Sequence, residues 1–203
     1  MIRHAWILAA ALSLGACSVL PEKSPVALYG LSRPAALEDA SAEPIALRLA
    51  VEKPAASGPL ASPWILVRRD ATRIEVYPDA QWSEPLPGLV GKAILEAFEA
   101  DGRLSGVERA ASGLAHDFSL LTELRDFQIE LDEAPVAVVR VKASLVDAAR
   151  GEAVASRLFE ARVPAAGREV GEAVAALDAA TAQVLAAMRD WLIARQSRPS
   201  AED

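Results

Sequence analysis

The chain has 203 residues, a formal net charge of −7 and one cysteine, and 52% of its residues are hydrophobic. The acidic charge argues against nucleic acid as a partner, because nucleic-acid-binding proteins need a cationic surface for the phosphate backbone. A lone cysteine excludes an intramolecular disulfide, and the hydrophobic content is typical of a globular core rather than a disordered chain.

The first sixteen residues have the layout of an export signal. Arg3 and His4 precede an apolar segment over residues 5–14, which is too short to span a bilayer. The segment ends at Leu14-Gly15-Ala16-Cys17, a pattern that resembles the bacterial lipobox. The lipobox resemblance implies cleavage before the cysteine and attachment of a diacylglyceryl group to its sulfur, a reaction that only a thiol undergoes readily. We therefore predict that Cys17 is lipidated and anchors the protein to a membrane.

Composition divides the rest of the chain into three parts. Residues 17–26, with two prolines, are predicted to be a short tether, residues 27–195 a single domain, and residues 196–203 a polar tail. No stretch after the signal approaches about 20 consecutive apolar residues, so the lipid is the expected membrane attachment.

The N-terminal half of the domain is predicted to contain strands followed by a helix. Strands are expected over residues 27–31 and 45–51, the second from strict alternation of apolar residues, and a hairpin is expected from residues 65–67 and 73–77. Apolar residues then recur at helical spacing from Leu86, and Asp101-Gly102 supplies the helix end.

The C-terminal half is predicted to contain three strands and a second helix. The strands cover residues 118–129, 137–145 and 153–163, and the last two form a hairpin around Gly151. The helix covers residues 168–194. Together these elements predict an α+β fold, in which a mixed, mostly antiparallel sheet packs against two amphipathic helices.

The sequence indicates no catalytic site, no cofactor and no metal. After signal cleavage the only histidine is His116, beside Asp117 and near Ser119. Neighbouring strand residues point to opposite faces, so we expect a satisfied or exposed turn histidine rather than a triad. The carboxylates lack EF-hand spacing, and neither common glycine-rich nucleotide motif occurs.

Two segments are candidates for partner contacts. The approach to the first helix contains Tyr77, Asp79 and Trp82, of which the tryptophan is either a cap on the core or a binding residue. The segment Thr122 to Phe127 contains Glu123, Arg125 and Asp126. Since Glu123 and Arg125 share a strand face, they are expected to form an ion pair, and the charged group is a second candidate for partner recognition.

These motifs, taken in order, resemble those of the ABC-type transport auxiliary lipoproteins, a family that includes PqiC-like lipoproteins. The resemblance begins with the lipobox and covers essentially the whole mature chain. The residues that carry it are Tyr29-Gly30-Leu31-Ser32, Tyr77 to Pro85, Thr122 to Phe127 and Leu158 to Ala161.

The family resemblance implies a non-enzymatic, periplasm-facing lipoprotein that works with an ABC transporter and a mammalian-cell-entry (MCE) domain protein in lipid transport, with a homo-oligomeric ring as one arrangement. Ser18 after the lipidated cysteine permits transfer to the outer membrane in Gram-negative bacteria, where an aspartate would favour retention at the inner membrane. Two alternatives remain open at this stage: a structural or regulatory lipoprotein of another envelope machine, such as a cell-wall synthase activator, and an anchored hydrolase that uses His116 and Ser119.

Overall fold

The structure is a computed structural model that describes residues 25–33, 43–131 and 133–196. The predicted signal, the lipidation site Cys17 and its neighbour Ser18 lie outside the described residues. The last helix ends at Gln196, so the predicted polar tail also lies outside them apart from this residue.

The described chain forms two long helices and eight strands. Helix α1 spans Leu86–Asp101 and helix α2 spans Val170–Gln196. The strands are β1 (Ala27–Tyr29), β2 (Ile45–Val51), β3 (Trp64–Arg68), β4 (Ile74–Trp82), β5 (Leu104–Arg109), β6 (Phe118–Leu131), β7 (Pro135–Asp147) and β8 (Glu152–Pro164). Both predicted helices and both predicted hairpins are confirmed. Strand β5 was not predicted.

The sheet is forked around the long strand β6. One edge of β6 pairs with β7 along its whole length, and β7 pairs in turn with β8, both antiparallel. The other edge is shared by two parallel partners, β2 near Leu120 and β3 near Gln128. Outside β2 lies β5, and outside β3 lie β4 and β1. The predicted mixed sheet in an α+β fold is therefore confirmed, with the longest ladders antiparallel.

Both helices pack on the same face of this sheet. Apolar residues of α1 and α2 share one core cluster with alternate residues of the strands, including Val139, Val141 and Leu145 of β7. The intervening residues of β7, Arg140, Lys142 and Ser144, consequently point to the other side. We call this side, opposite the helices, the outer face of the sheet.

Helix α2 is long and apolar enough to satisfy the length and composition test for a membrane-spanning helix, with a mean hydropathy of 1.3 over its most apolar part. Its buried residues identify it as a core helix instead. Leu177, Val184, Met188 and Leu192 recur at spacings of seven, four and four and lie in the core cluster with β7 and β8 residues.

A buried carboxylate joins the end of α1 to its neighbours. The side chain of Asp101 is fully buried and accepts two hydrogen bonds from the guanidinium of Arg103, at 2.6 and 2.7 Å. The Arg189 guanidinium of α2 lies 3.5 Å from the same carboxylate. A carboxylate at a helix C-terminus opposes the helix dipole, and the two guanidinium groups offset that cost here.

Candidate functional site

The outer face carries a network of ion pairs that crosses four strands. Asp126 of β6 is largely buried at its centre, with one carboxylate oxygen 3.3 Å from the Arg68 guanidinium and the other 3.0 Å from that of Arg140. The side-chain amide of Gln128 also donates to Asp126, at 3.0 Å. Arg140 continues the network to Glu160 of β8 at 3.0 Å.

Arg140 remains charged at every accessible pH. Its hydrogen bond to Glu160 raises the pKa of Arg140, and the negative charges of Asp126, Glu160 and Glu130 add to this effect against the opposing effect of burial. Arg140 therefore supplies a constant positive charge to the network, and its ion pairs orient the polar side chains of β6, β7 and β8 on the outer face.

A β-bulge brings the predicted charged group of β6 onto one face. Leu124 pairs with Val141 and Asp126 pairs with Arg140, so Arg125 is an extra residue between them. The predicted ion pair is confirmed: Arg125 donates to the Glu123 carboxylate at 2.7 Å, and both side chains are exposed. Because the bulge shifts the alternation by one residue, Asp126 lies on the outer face beside this pair.

The stability of this face depends on Asp126 rather than on the exposed pair. An Asp126→Ala variant is expected to lose about 1–3 kcal/mol of unfolding free energy, because it removes a largely buried carboxylate that accepts from Arg68, Arg140 and Gln128. Glu123→Ala, at the exposed pair, is expected to change it by less than about 1 kcal/mol. Urea unfolding of both variants measures the difference, and equal losses would contradict the assigned role of Asp126.

A shallow cavity lies beside this network on the outer face. It has a volume of about 400 Å³ and is lined by Arg125, Arg140, Lys142, Ser156, Arg157 and Leu158. Arg125 and Arg140 are held by carboxylates, as described above, and the Arg157 guanidinium lies 5.1 Å from the centre of the Phe159 ring. The cavity is therefore a shallow depression among paired charges, beside the exposed side chain of Leu158.

The second predicted segment is divided between the surface and the interior. Asp79 is exposed, whereas Tyr77 is half-buried and its hydroxyl donates to the backbone carbonyl of Arg168 at 3.0 Å. Burial raises the pKa of Tyr77, and the nearby charges of Glu169 and Glu172 raise it further. The tyrosine therefore links β4 to the segment that precedes α2.

Trp82 does not lie on the surface, which decides between its two interpretations. Only 1% of it is exposed, and its ring meets that of Phe127 edge to face, with 5.6 Å between ring centres. We therefore correct its place among the candidate contacts: it is a core residue in this structure. A partner that approaches from solvent meets Asp79 but not the tryptophan.

The histidine and its neighbours do not form a triad. The Asp117 carboxylate accepts a hydrogen bond from the backbone of Arg48 at 2.7 Å, while His116 has Ser119 Oγ 3.0 Å from Nε2 and the carbonyl of Leu114 3.0 Å from Nδ1. Both ring nitrogens thus have partners, as expected for a satisfied turn histidine. Within the described residues, no three His, Cys, Asp or Glu side chains form a group that could hold a metal ion.

Comparison with known proteins adds a family and a fold. A sequence model of the family described as "ABC-type transport auxiliary lipoprotein component" matches residues 29–189. A crystal structure from Xanthomonas campestris superposes with a TM-score of 0.75 at 25% identity, covering 82% of this chain and 95% of that one. A second crystal structure, of an uncharacterized protein, shares the fold with a TM-score of 0.66 at 17% identity, covering 83% and 99%.

A curated relative is also similar over part of its length. An uncharacterized protein of Bradyrhizobium diazoefficiens is 30% identical over 117 residues, which cover 58% of this chain. The match spans only 32% of that protein, so most of the relative has no counterpart in the alignment.

Proposed function

The chain belongs to the family of ABC-type transport auxiliary lipoprotein components, and we propose that it is a non-enzymatic docking subunit of an envelope lipid transport system. In this proposal the lipid on Cys17 holds the domain at the periplasmic side of the outer membrane, as Ser18 in the sorting position favours. The partners are an MCE-domain protein and the subunits of its ABC transporter, and the docking subunit acts alone or as a homo-oligomer.

The observation that carries the docking role is the combination of exposed apolar and charged side chains on the outer face. Exposed apolar side chains, Leu121 and Leu158, flank the exposed pair of Glu123 and Arg125. Lys142 of β7 pairs with Glu123 of β6 on one side and with Leu158 of β8 on the other. Apolar positions among oriented charges are typical of protein interfaces, where the charges determine which partner fits.

Site-specific photocrosslinking in membranes tests the proposal. A photoreactive residue at Lys142, on the outer face, is expected to crosslink to an MCE-domain protein or a transporter subunit. The matched control is Gln183, which is exposed on α2, and a crosslinker there is expected to capture these partners much less. Mass spectrometry of the crosslinked bands identifies the partner.

Two results would overturn the proposal. Capture of a cell-wall synthase or of peptidoglycan from Lys142, without any transport component, would favour the alternative of a lipoprotein of another envelope machine. Equal capture of transport components from Lys142 and Gln183 would show that the outer face is not the docking surface.

A further inference from the structure

Exposed apolar side chains are concentrated at the end of the outer face where the described chain begins. Leu28 of β1 is 66% exposed, Trp64 of β3 is 47% exposed, and Val26, just before β1, is 46% exposed. Gln81 of β4 pairs with both Leu28 and Trp64, so these two side chains lie on one face with a neutral residue between them. Val76, also exposed, follows on β4 beside Leu66.

These residues lie on or directly before three neighbouring strands, with Leu28 and Trp64 on either side of Gln81. We call Val26, Leu28, Trp64 and Val76 the β1 patch. Single exposed apolar residues are common on soluble proteins, whereas several on neighbouring strands indicate a contact surface. A tryptophan at its centre fits a boundary between water and lipid, because its ring is apolar and its N–H needs a polar partner.

The short tether indicates which surface the β1 patch meets. Nine residue steps separate Cys17 from Val26, a contour length of at most about 30 Å. A domain of this size has a radius of gyration of about 15 Å and is therefore about 40 Å across. The tether is shorter than the domain, so an anchored Cys17 keeps the β1 end near the membrane.

We propose that the β1 patch lies on the phospholipid surface and inserts Trp64 and Leu28 into the headgroup region. This orientation rests on the lipidation of Cys17 assumed in the proposed function. A weak interfacial affinity is sufficient, because the anchor makes the contact intramolecular and keeps its effective concentration high. The contact fixes the tilt of the domain, and the network around Asp126 then lies beside the membrane-facing end.

Fluorescence quenching by brominated lipids tests this orientation on the mature, lipidated protein. It is reconstituted in vesicles of phosphatidylethanolamine and phosphatidylglycerol with bromine on part of the acyl chains. Trp64 is expected to be quenched. Trp82 and Trp191 are expected to be quenched much less, because they pack in or against the core on the helix side. Trp64→Phe is expected to abolish most of the quenching.

Two further variants show whether the whole patch takes part. Leu28→Ser is expected to weaken the quenching of Trp64, because it removes an adjacent apolar contact with lipid. The matched control is Leu114→Ser in the loop after β5, where the leucine is 57% exposed, and it is expected to leave quenching unchanged. Thermal unfolding of each variant verifies that the fold is retained.

The outcomes separate this proposal from the proposed function. If the protein does not float with the vesicles, lipidation fails and the proposed function fails with it. If it floats but its tryptophan fluorescence is quenched no more than that of the Trp64→Phe protein, the membrane orientation is wrong and the anchor stands. Protection of Trp64 by a second copy or by a transport protein would likewise overturn the orientation and assign the β1 patch to that partner.

Discussion

The free energy of unfolding is expected to fall by about 3–5 kcal/mol when Trp82 is replaced by alanine. Trp82 is among the largest fully buried side chains of the described residues, and it meets Phe127 edge to face within the core cluster that also contains α1 residues. Alanine leaves a cavity beside Phe127 that a close-packed interior closes only in part. Chemical denaturation monitored by circular dichroism measures the loss.

Two matched variants separate burial from residue type. Trp64→Ala, on the adjacent strand but exposed, is expected to cost far less, because little apolar area returns to water there. Trp82→Phe is expected to cost clearly less than Trp82→Ala, since it keeps most of the ring. It also removes a buried indole N–H that has no hydrogen-bond partner among the described residues. Similar losses for Trp82→Ala and Trp64→Ala would refute the core role of Trp82.

The elements that the sequence predicts well are those with a strong local period. Helix α1 begins at Leu86 as expected, and Gly102 ends it with a φ of 70°, a left-handed conformation that glycine adopts without strain. Strand β5 was missed because Ser105 and Gly106 weaken its local β signal. It forms through parallel pairing with β2, a contact between distant segments that no local pattern contains.

Irregular strands explain why the candidate contacts were only partly predictable. Tyr77 and Trp82 are five positions apart, an odd number, so strict alternation would place them on opposite faces of β4. The register shifts between Leu66 and Trp64 of the partner strand, and both aromatic residues consequently pack against the core. The bulge at Arg125 changes the phase of β6 in a similar way. The pair of Glu123 and Arg125 was predictable from spacing, whereas the partners of Asp126 come from β3 and β7 and were not.

Incorporation of radiolabelled fatty acid is expected to be lost completely in a Cys17→Ser variant. Cys17 is the only cysteine of the chain, so no second thiol can accept the lipid, and a hydroxyl does not replace the thiolate as nucleophile. Each buried CH₂ of an acyl chain contributes about 0.8 kcal/mol to membrane binding. Without the chains the protein is expected to move from the membrane to the soluble periplasmic fraction.

A change at the next residue provides the control for this loss. Ser18→Asp leaves the thiol in place, so it is expected to retain the label and to shift the protein from the outer to the inner membrane. Unchanged labelling of Cys17→Ser would refute the lipobox assignment. Full labelling of Ser18→Asp without relocation would keep the anchor but remove the support that Ser18 gives to the outer membrane. This second result also decides which membrane the β1 patch faces. The tether limits only the distance between the domain and the lipid anchor, whichever bilayer holds that anchor.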